Sequence, residues 1–134
     1  MTNNPGTWPT LSYRDAPAAI GYLTGVLGFT ESVVYPGEDR AVSHAELLWP
    51  EGGGIMFGSD AGEKSWSGGA GGPGQGTVYL VTTDVAALHT RVQEAGWTIS
   101  RPFAQTDYGS AEFGFHDPEG NAWSIGDYRG HQAG

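Results

Sequence analysis

Two stretches of the chain carry apolar residues at helical spacing, and each lies between an aspartate and a glycine. Ile20, Leu23 and Leu27 fall at i, i+3 and i+7 between Asp15 and Gly28. Val85, Leu88 and Val92 repeat that spacing between Asp84 and Gly96. Residues so spaced share one helix face. Aspartate caps a helix start by accepting from its open N–H groups, and Pro17 is tolerated in the first turn. Glycine takes the left-handed turn that ends a helix. The two aspartates are 69 positions apart and the two glycines 68. Short β-rich runs at 8–13 and 77–82 precede the caps. Runs at 31–35 and 98–100 follow the helices, broken by Pro36 and Pro102. The pattern predicts strand, helix, strand, said twice.

Each half closes with a predicted hairpin. Residues 45–49 turn through Pro50-Glu51-Gly52-Gly53 into 54–58, and residues 111–115 turn through Pro118-Glu119-Gly120-Asn121 into 122–126. The first strands are offset by 66 and the second by 68, so His116-Asp117 reads as a two-residue insertion in the second turn. Each half is then β-α-β-β-β, which makes the fold class α+β: one domain of two modules, 8–59 and 77–128. Such a module covers one sheet face with its helix and leaves the other bare, so two must pair to bury enough surface. Between them, 60–76 holds seven glycines and a proline and reads as a flexible linker, with Trp66 its only aromatic residue.

Composition removes several functions. A chain of 134 residues without cysteine has neither a disulfide framework nor a thiolate metal site. Six basic against fifteen acidic residues give a net charge of -9. That surface repels phosphate backbones and anionic lipids, so nucleic acid and membranes are not expected partners. The first residues lack a basic and an apolar region, and no apolar run reaches membrane-spanning length, so the expected location is the cytoplasm.

Tyr13-Arg14-Asp15 opens into a helix that ends Leu27-Gly28-Phe29. The chain closes with Phe115-His116-Asp117-Pro118-Glu119-Gly120-Asn121-Ala122-Trp123. On these residues it resembles the vicinal oxygen chelate superfamily: glyoxalase I, fosfomycin-resistance enzymes, extradiol dioxygenases and bleomycin-resistance proteins. Asp-Pro-x-Gly-Asn before the last strand is the most specific of the shared features. The resemblance implies paired modules whose curved mixed sheets form a cup, usually in a homodimer. It also implies that metal-binding members place one ligand on the first strand and one on the fourth strand of each module. Those positions are seven residues before the capping aspartate and seven after the Asp of Asp-Pro-x-Gly. They hold Trp8, Thr77 and Ser124 here, and the internal repeat makes Met56 the partner of Ser124. The family expects His, Gln or Glu at these sites. Indole has no lone pair to give, thioether is too soft for hard divalent cations, and single hydroxyls are weak ligands. No metal and no other cofactor is expected, which points to the bleomycin-resistance-like branch.

If these four positions face the cup, period-two alternation assigns their neighbours. Trp8, Thr10, Ser12, Met56, Thr77, Tyr79 and Ser124 would line it, while Leu11, Tyr13, Ile55, Phe57, Val78, Leu80, Trp123 and Ile125 would pack under the helices. On the third strands the apolar Ala45, Leu47, Trp49, Phe113 and Phe115 suit the helix side, leaving His44, Glu46 and Glu112 for the cup. Trp8, Met56 and Tyr79 offer flat or polarizable surface to an aromatic ligand. Trp66 on the linker, with Phe103 and Tyr108 on the loop before the seventh strand, would close its mouth. Core or rim packing is the alternative for each single aromatic. His44 reads as a structural or hydrogen-bonding residue, and with Glu46 it supplies only two ligands of a zinc site. His116 belongs to a turn, and His89 and His131 to solvent.

The leading expectation is a binding protein that sequesters an aromatic antibiotic or related toxic compound, as a homodimer and without catalysis. The alternative is a glyoxalase-like, metal-independent lyase or isomerase. It would use Glu46 or Glu112 as general base, with His44 or Tyr108 assisting. A plain interaction module is the third class, because fold alone does not fix function.

Overall fold

The computed structural model describes residues 6–39, 41–59, 76–107 and 109–129. Trp66, Tyr108 and His131 lie outside the described residues, as does the linker up to residue 75. The first module runs β1 (Thr10–Tyr13), α1 (Ala16–Tyr22), a π-helical turn (Leu23–Leu27), β2 (Thr30–Pro36), β3 (Val42–Leu48) and β4 (Gly54–Ser59). The second runs β5 (Val78–Val81), α2 (Val85–Glu94), β6 (Thr98–Gln105), β7 (Ala111–His116) and β8 (Ala122–Gly126). They form two four-stranded sheets, ordered β1-β4-β3-β2 and β5-β8-β7-β6. In each sheet the first strand runs parallel to the fourth, and the other pairings are antiparallel. The fold is the expected α+β pair of βαβββ modules.

The helix signals act as read. The Asp15 and Asp84 carboxylates each accept from the backbone N–H three residues on, at 3.1 Å. Gly28 and Gly96 end the helices in left-handed conformation, with φ of 99° and 79°. Val85, Leu88 and Val92 are buried, as are Leu23 and Leu27, while Ile20 is only partly so.

Two strand expectations need correction. Pro102 does not end the strand after α2, which continues to Gln105 through two register shifts on an edge. An edge strand has an unpaired side, so it tolerates the missing proline N–H, and its bulges absorb the irregular backbone. The second hairpin also carries no insertion. Leu48 pairs with Gly54 and His116 with Ala122, so both turns span the same length. The two turns share one bonding pattern, from Trp49 N to Gly53 O and from Asp117 N to Asn121 O, both 3.0 Å. Both hairpin strands therefore repeat at an offset of 68. Glu112 takes the place of His44, and the counterpart of Glu46 is Gly114.

The helix sides of both sheets share one core. Leu11, Tyr13, Leu47, Ile55 and Phe57 enter it from the first module, and Val78, Leu80, Phe113, Phe115, Trp123 and Ile125 from the second. Aromatic edges cross between the modules, with Tyr22 to Trp97 at 5.5 Å and Phe29 to Trp123 at 5.9 Å. Each hairpin turn also grips the other module. Trp49 donates its indole N–H to Val81 O at 2.7 Å. At the equivalent place Asp117, buried, accepts from Tyr13 Oη at 2.5 Å, Trp123 Nε1 at 2.9 Å, and the backbone N–H groups of Glu119 and Asn121. Burial pushes the Asp117 carboxyl up, and the four donated bonds oppose that shift. The Asp-Pro-x-Gly-Asn run is thus an inter-module fastening.

Candidate functional site

The faces turned away from the helices are open. On the first sheet, pairing aligns Thr10, Met56, Glu46 and Val33 across β1, β4, β3 and β2. Further along, Ser12 aligns with Gly58, and His44 with Tyr35. Met56, Glu46, His44 and Ser12 are half-buried, and Thr10 is exposed. His44 Nε2 lies 2.8 Å from Glu46 Oε2, and its ring stacks on Tyr35 at 6.2 Å. Trp8 precedes β1 and lies over the backbone of β4: a Cβ on Gly54 would come within 2.9 Å of Trp8 Cζ3. The expected first-module set, Trp8, Thr10, Ser12, His44, Glu46 and Met56, thus shares one face.

On the second sheet, Tyr79, Ser124, Gly114 and Arg101 align across β5, β8, β7 and β6. Glu112 sits one row on, opposite Gly126, and is 2% exposed. It accepts from Tyr79 Oη at 2.7 Å and Arg101 Nη1 at 3.2 Å, and Ser110 Oγ lies 3.3 Å away. Ser110 donates to Asp127 Oδ1 at 2.7 Å, a bond that holds the Asp127 carboxyl below its ordinary range. Desolvation and the Glu112 bond push the Tyr79 hydroxyl up to about 12, so it stays a donor at neutral pH. Gly126 is required beneath this pair, because a Cβ there would collide with the Tyr79 hydroxyl and Glu112 Cγ.

Several expected positions behave differently. Thr77 spends its hydroxyl on Ala122 O at 2.8 Å, tying β5 to β8. Phe103 stands on β6 and packs edge-on against His89 at 5.4 Å, so it is not a loop residue at a cup mouth. His89 also meets Phe113 at 4.9 Å, so the α2 histidine is half-buried packing rather than a solvated group. Arg101 was missed because the strand was ended at residue 100. Ser110 and Asp127 carried no sequence signal, since their roles arise only from pairing between distant strands.

A cavity of about 430 Å³ lies between the first hairpin turn and β5, with Phe29, Trp49, Val78 and Leu80 in its walls. Arg129 and Glu51, paired at 2.6 Å, belong to its rim. A smaller one, about 180 Å³, separates β1 from β5 beside Thr10 and Thr77. The two outer strands therefore approach without forming a ladder.

Over residues 7–125 the sequence matches the model of the family described as Glyoxalase/Bleomycin resistance protein/Dioxygenase superfamily. The chain belongs to this superfamily. No curated protein matches it. Among solved structures, TioX from Micromonospora sp. ML1 is similar at 28% identity and a TM-score of 0.69, covering 90% of this chain and 98% of that one. A glyoxylase/bleomycin resistance protein/dioxygenase domain from Frankia sp. EAN1pec matches at 22% identity and 0.71, over 97% and 96% of the two chains. The fosfomycin resistance protein FosX from Listeria monocytogenes matches at 12% identity and 0.66, over 92% of each. The last two share the fold. The metal ligand set of the superfamily's metal enzymes does not fit this chain. Trp8 and Met56 offer no hard donor, Thr77 is committed to the backbone, and Ser124 lies beside the Arg101 guanidinium, whose charge repels a cation. Among the described residues, no three His, Cys, Asp or Glu side chains gather to hold a metal.

Proposed function

We propose that the protein binds and sequesters a small aromatic molecule, of antibiotic or related toxic type, on the open faces of its sheets and without a metal. The observation that carries this reading is the first-module face. Trp8 lies over Gly54, and the half-buried Met56 thioether stands two residues along the same strand, with Glu46 beside it. Indole and thioether surfaces favour stacked, polarizable ligands, and a few polar groups suffice to orient them. The description of the matched superfamily includes bleomycin resistance proteins, which supports a metal-free binding role. We infer a homodimer acting in the cytoplasm.

Titrating EDTA-treated protein with a panel of aromatic antibiotics, while following Trp fluorescence, tests the reading. A saturable change that is weakened in Trp8→Ala and Met56→Lys supports it, and no change with any member overturns it.

One pair favours a catalytic alternative: His44 and Glu46, in hydrogen-bond contact on the open face, form an acid–base couple. Glu112 suits that work less, because tyrosine and arginine already donate to it. Turnover of a candidate substrate that persists in EDTA and disappears in Glu46→Gln would select the lyase or isomerase reading.

A further inference from the structure

We propose that the open face of the second module holds an oxyanion-binding subsite built on Arg101, so that the sequestered ligand is an aromatic acid: a planar ring system bearing a carboxylate or phenolate. The inference rests on the binding function proposed above and names the chemistry that function selects.

The chain carries a net charge of -9, yet one guanidinium stands on this face. The other described arginines lie elsewhere: Arg14 on the turn after β1, Arg91 on α2 and Arg129 beyond β8. Arg101 starts on the edge strand β6 and crosses β7 to reach β8. Its Nη1 bonds Glu112 Oε1 at 3.2 Å and its Nη2 approaches Ser124 Oγ at 3.5 Å. Adjacent strands lie about 4.8 Å apart, so this path spans roughly two strand spacings. Gly114 opens it. That residue pairs with Arg101, and a Cβ there would already sit 3.3 Å from Arg101 Cβ. The first module has Glu46 at the equivalent position and Val33 where Arg101 stands, so the device belongs to the second module alone.

The guanidinium is held and still exposed. Glu112, 3% exposed in its side chain, anchors one edge from below, while the Arg101 side chain remains 48% exposed. Glu112 is itself fixed by the hydroxyl of Tyr79. A guanidinium has five donors in a planar fork, and its contacts with Glu112 and Ser124 leave further N–H groups for a ligand. A fork fixed in advance costs little entropy on binding an oxyanion. Tyr79, 37% exposed, supplies an aromatic surface in the same row.

Calorimetric titration with three probes of one shape tests this: 2-naphthoate, 2-naphthamide and 2-naphthylmethylammonium. Naphthoate is expected to bind about tenfold more tightly than the amide, and the ammonium more weakly still. Arg101→Gln removes the preference for naphthoate over the amide, and Arg101→Lys restores part of it. If Arg101→Gln fails to fold because Glu112 loses its counter-charge, the double variant Arg101→Gln/Glu112→Gln keeps the pair neutral and gives the same readout. Equal affinities for the three probes, unaltered in the variant, overturn the subsite and leave aromatic binding standing. No binding of any probe overturns both.

Discussion

At the scale of single residues, the buried polar groups divide into fastenings and a binding face. Asp117 is a fastening. Replacing it by alanine leaves a phenol, an indole and two backbone N–H groups without their acceptor. The expected loss is about 3 kcal/mol of stability, read by urea unfolding. The tyrosines make a second prediction. Burial, reinforced by nearby carboxylates, pushes the hydroxyls of Tyr13 and Tyr22 upward, and Tyr79 to about 12. A raised folded value gives stability that is fully present below the unfolded value of about 10 and lost as pH rises through the folded one. Part of the phenolate absorbance should therefore lag beyond about pH 11 and appear only as the protein unfolds. A single transition of all six tyrosines near their ordinary value, in folded protein, would refute this. The first-module open face was legible because the family resemblance marked Trp8, the internal repeat marked Met56, and strand alternation set Glu46 apart from the apolar helix side. It hid the partners of Glu112. Arg101 and Ser110 reach it from neighbouring positions in space that only cross-strand register creates.

Among the elements, helices and turns were the most legible because their signals are local. Asp15 and Asp84 cap where expected, and Asp84→Ala should cost about 1 kcal/mol in thermal unfolding by freeing the Ala87 N–H. The turns also show how a local signal misleads. Matching Ala-Glu to Ala-Glu suggested an insertion at His116-Asp117, whereas the backbone repeats at the offset set by Leu48 with His116 and Gly54 with Ala122. Residue identity drifted by two positions while the turn geometry stayed fixed. Gly120, at φ 89°, shows what that geometry requires. Gly120→Ala places a Cβ in the left-handed region and should destabilise by about 1 kcal/mol, although the space around it is open. The edge strand β6 was the least legible element. A proline is normally a stop, and only an edge with register shifts admits it.

For the whole molecule, the repeat explains both the stability and the asymmetry. Two modules pack helix side to helix side around one core, and each leaves its other sheet face open. The faces have diverged: indole, thioether and a His–Glu pair on one, and Tyr79, Glu112 and Arg101 on the other. Among the described residues, neither face gathers three His, Cys, Asp or Glu side chains, in keeping with the proposed metal-free capture of an organic ligand. Sedimentation should report a dimer whose stability falls when Tyr35, 56% exposed on β2, is replaced by a charged residue. Native mass spectrometry of EDTA-treated protein, mixed with aromatic acids and antibiotics, tests the central claim most directly. The account predicts an organic adduct at one molecule per site, retained without metal and diminished in Met56→Lys. Binding that appears only when a divalent cation is added back would contradict it.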